Sequence, residues 1–356
     1  MPSAAIYLVA AAVASDAFHS LVLSPTAVER IGTVALVVIL FDGGSSIGLR
    51  RFREVAAPVA LLGTLGTFAT AGLVAAFAHV AFDFGWTTAG LLGAAIAPTD
   101  PAVVFSVLGG RGIGERTKTL LEGESGANDP VGIALMLGMI ALATRTDATF
   151  WIVVRTFVEQ IAVGLAVGVA GGLLERRLLQ RLPFGSPLLR VVRMLALAGV
   201  VYGAAAAAHG SGFLAVFVAG MIVGDVDAPL HRLPTVAEIV VFIALGLTID
   251  LGGISGGVWA DGLAFAAFTA LVARPLALGP LLLPARLRRS EVLFVMWAGL
   301  KGAVPILLAA FALTRHVPDA RRIYDLVFVV VLASVVVQGG TISAAARATR
   351  RASRAE

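Results

Sequence analysis

Residues 90–105 read GLLGAAIAPTDPAVVF, and the fold turns on how this stretch is read. Its first eight residues are small or aliphatic and suit a helix packed among other helices. Pro98 and Pro101 then withhold backbone donors and bias Ala97 and Asp100 away from helical angles. Asp100 ahead of Pro101 also has the pattern of an N-cap followed by proline at the first helical position. A helix that stops near residue 97 and restarts near 101 is expected. Non-helical backbone inside a bilayer is tolerated only where it is buried in protein or lines a cavity, so freed carbonyls near Thr99 and the Asp100 carboxylate become hard oxygen ligands for a monovalent cation. A plain proline kink with a self-capping aspartate is the bland alternative.

The surrounding chain is a membrane protein. Of its 356 residues 58% are hydrophobic and only 14% charged, with a mean hydropathy of +0.94, which excludes an ordinary soluble domain. Twelve apolar helices are expected, approximately over 4–22, 27–48, 55–82, 87–109, 117–143, 150–175, 188–208, 211–225, 234–250, 257–283, 290–314 and 322–345. Period-2 alternation is missing, which argues against an outer-membrane barrel. There is no cysteine, hence no disulfide framework or thiolate metal site. The N-terminus has no basic residue before its apolar run, so a cleaved signal peptide is not expected. The organisation expected is a transmembrane exchanger domain over 1–346 and a short basic cytoplasmic tail over 347–356.

Net charge is +5, but the basic residues lie in short clusters between apolar runs rather than on a nucleic-acid-binding face. Alternate loops and the tail hold nineteen: Arg50, Arg51, Arg53, Arg111, Arg116, Lys118, Arg176, Arg177, Arg181, Arg190, Arg193, Arg232, Arg286, Arg288, Arg289, Arg347, Arg350, Arg351 and Arg354. The other loops hold six: Arg30, Arg145, Arg155, Arg315, Arg321 and Arg322. The positive-inside rule then places both termini in the cytoplasm if all twelve helices span.

Asp100, Glu124, Asp129 and Lys301 lie inside apolar runs. Each costs roughly 2.5–3.5 kcal/mol at the centre of a membrane helix, a cost most simply read as the polar centre of an ion transporter. The fifth helix carries Glu122-Gly123-Glu124-Ser125-Gly126-Ala127-Asn128-Asp129-Pro130. Spacing i,i+4 stacks Ser125 under Asp129 and Glu124 under Asn128, and Pro130 frees the carbonyl of Gly126. Asp129 can hold a proton or a cation, but not both at full affinity, which is the minimal chemistry of exchange; capping a helix begun at Pro130 is its plain alternative. In the eleventh helix, Gly299-Leu300-Lys301-Gly302-Ala303-Val304-Pro305 reads as a second interruption. Lys301 there could neutralise Glu124 and the negative end of a half-helix. Asp42, late in the second helix, is a candidate for the ion entry path or an interfacial cap. Arg274 and Gln338 read as structural holders of broken-helix carbonyls or bundle contacts.

Five ordered segments, FDGG (41–44), PTDPAVVFSVLGGRG (98–112), LEGESGANDPVGIAL (121–135), GSGFLAVFVAGMIVG (210–224) and WAGLKGAVPILLA (297–309), resemble the monovalent cation:proton antiporters of the NhaP/sodium–proton exchanger type, closest to the bacterial potassium/proton branch. The resemblance implies an all-α inverted-repeat antiporter fold with two discontinuous helices crossing near the midplane. Against its thirteen-helix pattern the first helix is absent here. By motif, Thr99, Asp100, Ser125, Asn128 and Asp129 match ion- and proton-binding positions, with the cation at Asp100 and Asp129. Glu124 matches the acid paired with a basic residue on the second broken helix, here Lys301 where arginine is usual, and Asp42 matches the ion path. The Asn128–Asp129 pair implies electroneutral exchange of Na⁺ or K⁺ for H⁺ by alternating access in the inner membrane. The resemblance implies no cofactor, no nucleic acid and no enzyme activity, and leaves a homodimer open. A passive cation channel and an intramembrane aspartyl-type enzyme are the rival classes; single-channel currents or cleavage of a helical substrate would mark them.

Overall fold

A computed structural model describes residues 3–18, 21–100, 104, 114–146, 148–181, 186–225, 233–285 and 287–352. The stretch from Pro101 in which the first interrupted helix is expected to restart, Val104 excepted, lies outside the described residues, as do Arg111, Arg232, Arg286 and Arg354.

Every element among the described residues is helical. In chain order they are α1 (Ser3–Ala17), α2 (Pro25–Ile47), α3 (Leu49–Phe82), α4 (Trp86–Ile96), α5 (Glu115–Thr144), α6 (Trp151–Arg181), α7 (Pro187–Ala207), α8 (Gly212–Gly224), α9 (Leu233–Gly246), α10 (Gly256–Ala285), α11 (Arg289–Trp297), α12 (Ala303–Thr314) and α13 (Ala320–Ala352). Seven of them are long and apolar enough to cross a membrane: α2, α3, α5, α6, α7, α10 and α13. Starts are set by local chemistry. Ser24, Ser211 and Ser255 cap α2, α8 and α10 by accepting from the backbone N–H three residues on, and Pro25 and Pro187 open α2 and α7.

The expected spans and the helices agree closely, with two informative differences. Helix α3 starts at Leu49 and takes in Arg50, Arg51 and Arg53; α13 runs on to Ala352 through Arg347, Arg350 and Arg351. Both extensions are amphipathic rather than uniformly apolar, so an apolar-run criterion stops short of them.

The helices pack in two groups that meet where α5 lies against α6 and α12 against α2. In one, α2 lies against α8 and α9, α8 against α6 and α7, and α1 against α9. In the other, α3, α4 and α5 pack together, α10 and α12 pack on α13, and α12 and α13 reach α4. The second group contains two similar series. A long helix with one π-turn (Leu62–Gly66 in α3, Thr269–Ala273 in α10) is followed by a short helix that ends at a break (α4, α11) and, further on, by another long helix. Burial separates the central helices from those facing lipid. Gly212–Val223 of α8 and Ala303–Ala312 of α12 are buried all round, whereas α6 and α7 expose Val158, Leu165, Val169, Leu188 and Val200.

Candidate functional site

The two interruptions fall at residues 97–100 and 298–302 and touch: the Asp100 N–H donates to the Leu300 carbonyl at 2.8 Å. Each break supplies the countercharge for a helix end of the other. Lys301 Nζ donates to the carbonyls of Ala97 and Pro98 at 3.0 and 3.1 Å, just past the negative end of α4. The Asp100 carboxylate lies against Gly302, the N-cap of α12, so close that any Cβ there would collide with it. An acid at a helix N-terminus and a cation at a helix C-terminus are each favoured by the unsatisfied groups they meet.

The second break is pinned from outside as well. The Lys301 N–H donates to Ser334 Oγ at 2.9 Å, Ser334 Oγ donates to Gln338 Oε1 at 2.6 Å, and Gln338 Nε2 donates to the Trp297 carbonyl at 3.1 Å. Arg274, on α10, donates to the carbonyls of Met296 and Val295 at 3.0 and 3.2 Å. Arg274 and Gln338 thus satisfy carbonyls that the interruption leaves without intrahelical donors, as the sequence led us to expect.

The partner of Glu124 is Arg274, not Lys301. Both guanidinium nitrogens engage it, Nη1 to Oε1 at 2.9 Å and Nη2 to Oε2 at 3.1 Å, with both side chains almost fully buried. The physical reason for the correction is geometric. A planar guanidinium satisfies two carboxylate oxygens at once and still donates elsewhere, whereas the lysine is committed to two carbonyls of the other break. Arg274-Pro275 was visible in the sequence as an intramembrane cation; only the shape-match between guanidinium and carboxylate could have signalled its partner.

Helix α5 runs unbroken through Pro130, so Asp129 caps nothing. It is 5% exposed, and its Oδ1 is buried without a hydrogen-bond partner among the described residues. A buried unsatisfied acceptor costs roughly 1–3 kcal/mol and calls for an explanation in ligand, proton or water. Around it the helix is knitted to the first break. Ser125 Oγ donates to the Thr99 carbonyl at 2.7 Å, the Thr99 N–H donates to Asn128 Oδ1 at 3.3 Å, and Asn128 Nδ2 donates to Thr99 Oγ1 at 2.8 Å.

Asp100, Ser125 and Asp129 line one cavity of about 220 Å³. Thr99 and Asn128 do not line it and instead satisfy each other. Asp42 lies on the cavity wall, together with two acids that sequence reading passed over as ligands, Glu122 and Glu238. Glu238 is in electrostatic range of Asp100. It sits in the first half of α9, in a run whose polar residue looks like an ordinary helix-end acid, so periodicity gave no signal. Among the described residues no group of three or more His, Cys, Asp or Glu is arranged to hold a metal ion.

Comparisons with known proteins fit this geometry. The family model described as "Sodium/hydrogen exchanger, transmembrane" matches residues 1–348. The K(+)/H(+) antiporter NhaP of Alkalimonas amylolytica is 36% identical over 337 residues, 91% of this chain and 58% of that protein. The chain therefore spans somewhat over half the length of that relative. The Na(+)/H(+) antiporter NhaP of Pseudomonas aeruginosa is 30% identical over 351 residues, 88% of this chain and 80% of that protein. The sodium proton antiporter MjNhaP1 of Methanocaldococcus jannaschii shares the fold, with a TM-score of 0.81 at 20% identity, covering 97% of this chain and 92% of that one.

Proposed function

Since the chain belongs to the transmembrane sodium/hydrogen exchanger family, we propose that it exchanges a monovalent cation, K⁺ or Na⁺, for H⁺ by alternating access, with Asp129 as the carrier. The observation that supports this most directly is the orphaned Oδ1 of Asp129 on a cavity it shares with the Asp100 carboxylate. A carboxylate without a fixed partner can trade one occupant for another; one already held by a guanidinium cannot.

In this reading the cation enters past Asp42, Glu122 and Glu238, whose summed negative charge raises its local concentration. It then displaces the proton of Asp129, with Asp100 and Ser125 supplying further oxygens. Asn128 and Thr99 are positioning residues that hold α5 at a fixed distance from the break. The cavity is reached from the end of the molecule where α2 finishes and α5 and α9 begin, the end bearing the excess of arginine and lysine. The positive-inside rule makes that end cytoplasmic, with residues 1–346 as the exchanger domain. The arrangement is then the inward-open half of the cycle. One proton exchanged for one cation moves no net charge, so the membrane potential neither drives nor opposes it. Assembly as a homodimer belongs to the same reading.

The K(+)/H(+) antiporter is nearer in sequence than the Na(+)/H(+) antiporter, so K⁺ is the first cation to test. The purified chain is reconstituted with a trapped pH dye under an imposed pH gradient, and K⁺, Na⁺ or Li⁺ is added. Dye recovery with K⁺ or Na⁺, unaffected by clamping the potential, is the expected result. No recovery with any cation, or currents far above carrier turnover, would refute the proposal.

A further inference from the structure

A second polar pocket adjoins the ion cavity, with which it shares Ser46, where α2 ends, α3 begins, α6 passes Arg176 and α8 finishes. Its volume is about 590 Å³, and its lining includes Ser45, Ser46, Arg50, Arg51, Arg176 and Asp225. Three guanidinium groups face one carboxylate. Asp225 Oδ1 is taken up by the Arg50 backbone N–H at 3.3 Å. Arg51 is in electrostatic range of Glu122, but among the described residues neither Arg51 nor Arg176 makes an ion pair. An unpaired guanidinium is a planar double donor that matches the oxygens of a phosphate.

The pocket also has an apolar approach. One turn before Arg176 and on the same side of α6, Leu173 is 44% exposed, so the flank of α6 beside the pocket offers an apolar edge. We propose that this pocket binds a phosphate-bearing anion, the headgroup of an anionic phospholipid, with Arg51 and Arg176 as its principal donors and an acyl chain running along α6.

The position matters because the pocket straddles a joint. Helices α2 and α6 both pack on α8, whereas α3 packs on α5, which carries Asp129 and also lies against α6. Gly48, at φ +70°, is the only residue between α2 and α3, in a conformation that disfavours any side chain. A phosphate shared by Arg51 of α3 and Arg176 of α6 would tie the two packing groups together across that joint.

The test reads binding and needs no transport assay. The purified full chain in neutral detergent is heated with added phosphatidylglycerol, phosphatidylcholine or inorganic phosphate. A ligand that binds only the folded state raises the unfolding temperature. Phosphatidylglycerol is expected to raise it by several degrees and phosphatidylcholine not at all. R51Q/R176Q should lose the shift, whereas R53Q/R177Q, which removes two neighbouring charges outside the pocket, should keep it. A shift with inorganic phosphate that R51Q/R176Q abolishes would keep the site and make its ligand a soluble phosphate. No shift with either ligand, a shift that survives in R51Q/R176Q, or one lost equally in R53Q/R177Q would overturn the proposal. If R51Q/R176Q does not fold, native mass spectrometry of the unaltered chain decides. One phosphatidylglycerol retained against excess phosphatidylcholine supports the site; none retained overturns it.

Discussion

Glu124 and Asp129 stand five residues apart on one helix, and 2% and 5% of their surfaces are exposed. By burial and chemistry they are near twins, yet their surroundings differ completely. Glu124 spends both oxygens on Arg274, which in turn holds two carbonyls of the second break. Asp129 has an oxygen with no hydrogen-bond partner among the described residues and lines a cavity. A buried charge with a full set of partners fixes structure, and removing one partner is costly because the other is stranded. A buried carboxyl with a vacancy costs stability where it stands and is free to change its occupant. The contrast separates the acid that holds the fold from the acid proposed as the carrier.

The sharpest way to break this contrast is D129N. It should abolish cation-driven dye recovery in proteoliposomes while the unfolding temperature in detergent holds or rises, since the amide removes a charge without orphaning a partner. Retained exchange would move the carrier elsewhere. Next in size is R274A, which strands Glu124 and should destabilise the protein by about 3–5 kcal/mol; E124L/R274M should recover most of that loss, because an apolar pair replaces both charges together. If the double substitution unfolds as readily as R274A alone, Glu124 has a role beyond the ion pair.

N128A removes the amide that both accepts from and donates to Thr99. A loss of roughly 1–3 kcal/mol is expected for buried bonds of this kind, with exchange slowed rather than abolished. Thermal unfolding and dye recovery on the same preparation will show whether stability and rate fall together. The smallest effect belongs to E238Q on the cavity wall. It should raise the cation concentration needed for half-maximal exchange a few-fold and leave the maximal rate unchanged, as expected of an acid that attracts the ion without carrying it. An equal fall in maximal rate would put Glu238 in the binding site itself.

Much of this was legible along the chain. The apolar runs gave the number and order of the helices because a bilayer demands a fixed length of hydrophobic helix, and no tertiary partner is needed to state that demand. Pro98, Pro101, the glycines around Lys301 and Pro305 marked both interruptions, since proline and glycine act on their own backbone. The acids and the lysine drew attention through the cost of placing charge in lipid. All of these are local properties of residue type and spacing.

What the chain alone left undecided was who meets whom. Arg274 and Glu124 are 150 residues apart, and Lys301 could answer either Glu124 or the carbonyls of Ala97 and Pro98. Both cations are intramembrane and both acids lack local partners, so sequence offers no ground for choosing. The choice was made by the crossing of the two breaks, which brings Lys301 within 3.0 Å of Ala97 O and leaves the flat face of Arg274 opposite Glu124. The same crossing leaves Asp129 beside a cavity with an oxygen to spare. Residue type declares that charge must be answered, and three-dimensional packing determines which groups answer it and which one is left available.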